Sequence, residues 1–150
     1  MKKFATPQQV YNLLKGKTDG KKLLSDILPP LLYCTENIQW RELLLHQVDN
    51  PSLEILTNLF GIANRLQAFR DTIFQGNPIT INSAYRSPAY NKKIGGEDNS
   101  KHCLGQAIDF TVANIMPQHV QDLLVNHSGG LGSYSSFTHI DGSNKRRWRG

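Results

Sequence analysis

The texture of the chain changes at Gln75-Gly76-Asn77-Pro78, and that change constrains the fold more than any other feature. Before it, apolar residues recur at spacings of three, four and seven, the period of a helix face. After it come short β-rich runs broken by Gly, Pro and Asn. Helices followed by a small sheet predict an α+β domain rather than an alternating α/β one.

Thr6-Pro7-Gln8-Gln9 reads as a helix start, with Thr6 as cap, Pro7 in the first turn and Gln9 reaching back to close a capping box. Val10, Leu13 and Leu14 then share a face, and Gly16 stops the helix. A second helix is expected over residues 21–28, broken by Pro29-Pro30, and a turn or two over 40–46. Asn50-Pro51 opens the longest helix, with Leu53, Leu56, Leu59, Phe60, Ala63, Leu66 and Ile73 inward. Strands are predicted over 79–85, 106–112 and 137–141. Between the last two, Pro117 opens a short helix with Val120, Leu123 and Leu124 inward, ending near Gly129-Gly130.

The chemistry concentrates in the second half. His102 lies in a loop, Asp109 in a strand reached through Gly105, and Thr138-His139-Ile140-Asp141 in a short apolar strand. Side chains two apart in a strand share a face, so His139 and Asp141 point the same way. Two histidines and a carboxylate from separate segments match a catalytic zinc site, which takes three protein ligands and an open position. A metal-free hydrogen-bonded cluster is the alternative at this stage. Cys103, beside His102, is expected to be a small buried residue rather than a ligand. Cys34 and Cys103 are expected to be reduced thiols, and His46, His119 and His127 ordinary surface or core histidines.

Composition narrows the classes. A chain of 150 residues with 39% hydrophobic and 19% charged residues is a globular domain able to bury its own core. No apolar run approaches the ~20 residues of a membrane span. The start, Met1-Lys2-Lys3-Phe4, is basic without the apolar stretch of a secretory signal, so synthesis in the cytoplasm without a signal peptide is expected. The net charge of +5 favours polyanions. No helix-turn-helix, finger or stacking pattern supports specific nucleic-acid binding.

A set of blocks in order carries a resemblance: Ser83-Ala84-Tyr85-Arg86-Ser87-Pro88-Ala89-Tyr90-Asn91, Gly95-Gly96, residues 100–109, Gly130-Leu131-Gly132, Phe137-Thr138-His139-Ile140-Asp141 and Arg147-Trp148. Together they resemble the zinc D-alanyl-D-alanine carboxypeptidases, a family that includes peptidoglycan endopeptidases and phage endolysins and shares its fold with Hedgehog domains. The resemblance covers about residues 37–148; residues 1–34 match nothing named.

The resemblance implies a small antiparallel sheet flanked by helices, with 1–34 as an N-terminal helical extension and 35–150 as the peptidase domain. It implies one zinc per chain on His102, Asp109 and His139, with Arg86 holding the wall peptide and Ser100 lining the site; a structural salt bridge that pins the loop before Asn91 is the alternative for Arg86. Trp148 is read as a wall of the cleft. It further implies a monomer acting on peptidoglycan stem peptides in the periplasm, after holin-type release or virion delivery. Many relatives carry an acid three residues before the last histidine; here Ser136 stands there, and Phe137 next to it. Asp141 is then the catalytic acid or base, the partner that orients His139, or a purely structural residue. The competing class is a metal-bearing module of the same fold without activity.

Overall fold

The computed structural model describes residues 1–150. The capping box forms as the sequence indicates: Thr6 accepts from the Gln9 amide, the Gln9 side chain accepts from the Thr6 amide, and α1 runs Pro7–Leu14. Ahead of it lies a two-residue strand, β1 (Lys3–Phe4), paired in parallel with β2 (Leu32–Tyr33). Neither strand was expected in a purely helical front. The second helix shrinks to α2 (Leu24–Ile27), because Asp19 Oδ1 accepts from the amides of Lys21 and Lys22 and holds them in a turn. The next is one turn, α3 (Trp40–Leu43), and His46 beyond it has a left-handed φ of 67°.

The long helix α4 (Leu53–Thr72) starts two residues later than Asn50-Pro51 suggests, since Ser52 and not Asn50 accepts from the Ile55 amide. Leu56, Leu59, Ala63 and Leu66 face the core as expected, joined by Ile62, whereas Leu53 and Phe60 remain over a third exposed.

The second half forms a five-stranded sheet in the order β3-β4-β6-β5-β7. β3 (Ile79–Ser83), β4 (Ala107–Val112), β6 (Thr138–Asp141) and β5 (Gly130–Ser133) are antiparallel neighbours. β7 (Arg146–Arg149) adds to β5 in parallel, so the sheet is mixed at that edge. β5 and β7 were not expected as strands. Helix α6 (Pro117–Leu123) packs on this sheet with Val120 buried and Leu123, expected inward, 40% exposed. Between β3 and β4 lie α5 (Pro88–Lys93) and a 3-10 turn, Lys101–Leu104.

One apolar cluster unites the two halves. Val10, Leu14 and Leu24 belong to it together with Leu59, Phe74, Phe110 and Ile140, so residues 1–34 are part of a continuous core. The two-sided strands position the site. Ile108 and Phe110 of β4 and Ile140 of β6 enter the core, and the alternate residues Asp109, His139 and Asp141 lie together on the other face.

Candidate metal centre

The register of β4 and β6 places Asp109 directly opposite His139, and Ala107 opposite Asp141. Cross-strand partners have Cβ atoms roughly 5 Å apart, so the carboxylate and imidazole meet without further adjustment. The small Ala107 leaves room for the Asp141 side chain, which is fully buried.

His102 arrives from the 3-10 turn. Ser100 caps that turn by accepting from the His102 amide at 3.2 Å, and Gly105 ends it in the left-handed region at φ 70°. A Cβ on Gly105 would lie 2.7 Å from the Ile55 carbonyl oxygen, so α4 tolerates only glycine there. The β-bulge of β3 between Ile81 and Ser83 turns the chain so that the Ala84 carbonyl faces His102. His102 Nδ1 donates to it at 2.6 Å.

These elements bring His102, Asp109 and His139 together, all buried, with one donor atom from each lying within 4.8 Å of the others. His139 Nδ1 lies 2.8 Å and His102 Nε2 3.2 Å from Asp109 Oδ1. A carbonyl can only accept, so His102 carries its proton on Nδ1 and turns the lone pair of Nε2 toward the other two donors. That Nε2 is buried and has no hydrogen-bond partner, because its approach to Asp109 is poorly aligned. An orphaned imidazole nitrogen at the meeting point of two further donors is the arrangement a divalent zinc ion satisfies.

The same convergence shows in the ionisation of the groups. Burial alone would raise the Asp109 carboxyl, but the two imidazoles hold it down at about 2. Burial would lower His139, and carboxylates on both of its ring nitrogens raise it instead. Asp141 lies below the ordinary carboxylate range despite its burial, because His139 and Ser143 donate to it. Cys103, expected to be buried, is only partly so and lines the cleft outside the triad; such burial as it has pushes its thiol up, away from the thiolate a metal takes. Cys34 is buried, with its thiol pushed up to about 12, and the two cysteines are unpaired.

The triad forms the floor of a cleft of about 800 Å³. All the other residues singled out in the sequence line it: Arg86, Ser100, Asp141 and Trp148. Arg86 is tied into the wall, donating from Nε to Ser83 at 3.0 Å, from Nη1 to Asn91 at 3.2 Å and from Nη2 to Asp109 Oδ2 at 3.4 Å. The Trp148 ring stands 5.1 Å from that of His139 and donates from Nε1 to the Tyr134 hydroxyl at 3.0 Å.

Sequence reasoning missed two acids and one arginine of the lining. Glu97 and Asp98 bring exposed carboxylates from the loop after Gly95-Gly96, and Tyr134 stacks on Phe137 at 4.4 Å. Arg146 was read only as one charge in a basic tail. The alternation Gly130-x-Gly132 was the available signal for β5: a Cβ on the first glycine would strike the Asp141 carboxylate, and on the second the Trp148 ring.

The family model of Peptidase M15 matches residues 36–141. A zinc D-Ala-D-Ala carboxypeptidase of Streptomyces albus G is 30% identical over 90 residues, which cover 56% of this chain and 35% of that protein. The chain thus spans about a third of the length of that relative. No helix is long and apolar enough to cross a membrane. With the match extending over most of the chain and enclosing all three converging residues, the protein belongs to the peptidase M15 family.

Proposed function

We propose that this chain is a zinc-dependent peptidase that hydrolyses the peptide stems of bacterial peptidoglycan, acting as a carboxypeptidase or an endopeptidase. The observation that carries the reading is the convergence of His102 Nε2, Asp109 Oδ1 and His139 Nδ1 on the floor of an open cleft in an M15 family chain. A zinc ion held by these residues, one per chain, would supply a Lewis acid that polarises the scissile carbonyl and acidifies water at the open position.

The chain's own residues prepare that chemistry. The Ala84 carbonyl fixes the His102 ring through Nδ1, and Asp141 fixes the His139 ring through Nε2 at 2.8 Å. Asp141 is poorly placed for proton transfer. Its Oδ1 accepts from Gly130, from the Ser143 amide and from the Ser143 hydroxyl, and its Oδ2 from His139 and Arg146. We therefore assign it to orienting His139, and assign proton handling to the exposed acids of the 95–100 loop, Glu97 and Asp98. Arg86 steadies Asp109 and keeps two of its five N–H groups for a substrate carbonyl, while Ser100 and Trp148 contact the peptide.

The setting belongs to the same proposal: a wall-lytic enzyme such as a phage endolysin, for which a net charge of +5 favours an anionic wall. A second reading, a metal-bearing module without activity, draws on Ser136, which stands where many relatives carry an acid. Digestion of purified peptidoglycan separates the two. Zinc-loaded protein should release new amino groups and shortened or uncrosslinked stems, chelator should stop the release, and added zinc should restore it. Intact sacculi after incubation with fully loaded protein would favour the inactive module. The released fragments identify the bond.

A further inference from the structure

The basic tail separates into two faces. Strand alternation along β7 puts Arg146 and Trp148 on one side and Arg147 and Arg149 on the other. Arg147 is consumed structurally, donating to the carbonyls of Val125, His127 and Gly129 behind β5. Arg146 lines the cleft instead. Its guanidinium lies 4.7 Å over the Trp148 ring, and that ring adjoins His139. Nη2 donates to Asp141 Oδ2 at 3.1 Å and Nε to Ser143 at 3.2 Å, leaving three N–H groups unbonded, both of those on Nη1 among them.

Arg86 and Arg146 differ in how much of the guanidinium is free to take an anion. Each arginine is paired with one carboxylate, Arg86 with Asp109 and Arg146 with Asp141, but the Arg86 side chain is only 15% exposed and has three protein acceptors. The Arg146 side chain is 52% exposed, held through Nη2 by Asp141 and through Nε by Ser143 over the Trp148 ring, with its remaining N–H groups at the cleft. A guanidinium fixed on one edge and free on the other is organised to receive a carboxylate through its planar fork. Lys101, in the 3-10 turn that carries His102, also lines the cleft but is a point charge without that geometry.

We propose that Arg146 is a specificity-determining residue that binds a free carboxylate of the peptide substrate on the Trp148 side of the metal site. The inference rests on the peptidase reading above. It makes the enzyme selective for stems whose carboxylate beside the scissile bond is free over the same stems carrying a carboxamide.

The test compares zinc-loaded wild type, Arg146→Gln, Arg146→Lys and Lys101→Gln on paired stem peptides, free acid and amidated, with metal content measured on each protein. Wild type should favour the free acid by about 10-fold or more in kcat/KM, the scale of a charge-assisted hydrogen-bonded pair. In Arg146→Gln that ratio should fall toward one, through KM, with metal retained. Arg146→Lys should keep part of it and Lys101→Gln all of it. An unchanged ratio in Arg146→Gln, a ratio lost in Lys101→Gln instead, or equal losses on both substrates together with loss of metal would each overturn the proposal and leave the peptidase reading standing. A wild type that cuts neither peptide overturns both.

Discussion

His139 Nε2 lies 2.8 Å from Asp141 Oδ2, on the side of the imidazole opposite the Nδ1 that faces Asp109. One ring thus bridges two carboxylates, and only Nδ1 is directed at the point where the metal donors meet. The arrangement gives Asp141→Asn a specific signature. The amide keeps the shape and loses the charge that holds Nε2–H, so zinc affinity should fall by about 10–100-fold. Turnover should return toward the wild-type rate in excess zinc. Normal zinc affinity with low turnover at every zinc level would instead make Asp141 the catalytic acid.

Metal content follows from the same geometry. Protein prepared with zinc should hold close to one equivalent per chain, and His139→Ala should lose most of it, because the two remaining donors leave the site short of a ligand. Full retention in the variant, read by elemental analysis, would remove His139 from the ligand set.

Gly132 ties β5 to the wall of the cleft. A Cβ there would lie 2.7 Å from the Trp148 ring, which is wedged between Gly132, Tyr134 and His139. Gly132→Ala should destabilise the protein by about 1–3 kcal/mol, the usual cost of overpacking. It should also displace Trp148, visible as a shifted tryptophan emission. Unaltered emission and an unaltered urea midpoint would mean the wall yields at no cost.

The residues of the site were more legible than the sheet that carries it. His102, Asp109 and His139 sit among glycines and apolar residues whose order is distinctive, and β3, β4 and β6 alternate plainly. β5 and β7 were hidden because Gly-Leu-Gly-Ser and Arg-Arg-Trp-Arg have little strand propensity of their own. Their pairing comes from β6 and from each other, contacts that no local window contains. For the same reason Arg146 looked like one charge of a solvated tail, although strand alternation sets it apart from Arg147. Asn50 and Ser52 are both good caps by type, and only the folded backbone shows which one receives the Ile55 amide.

Leu14 measures how far the N-terminal segment is bound to the rest. It is fully buried in the cluster that also contains Leu59 and Phe110, and α1 packs on α4. Leu14→Ala should cost about 2–5 kcal/mol. Helical circular dichroism and tryptophan emission should then lose stability together in one transition. Two separate transitions would make residues 1–34 an independent unit, as the family match beginning at residue 36 would allow.

His127 is buried, with its ring edge-on to Phe69 and its Nε2–H donating to the Asp141 carbonyl at 3.3 Å. Burial pushes its pKa below the usual 6.5; the bond to the Asp141 carbonyl opposes this, while Arg65 and Arg147 add to it. Below pH 6.5 the unfolded chain therefore takes up a proton at this residue before the folded one does. Stability rises with pH wherever the unfolded state binds more protons, so His127 favours the fold fully above its unfolded pKa and loses that contribution as pH drops toward the folded value. Glutamine can still donate to the Asp141 carbonyl but does not titrate. In chelator, where metal ligation does not enter, urea unfolding at about pH 7.5 and about pH 5.5 should show a larger drop for wild type than for His127→Gln. Acid sensitivity from Asp109 and His139 is common to both proteins and cancels in the difference. Equal drops would mean that the folded protein accommodates the imidazolium, most directly by swinging the ring away from Phe69 into solvent.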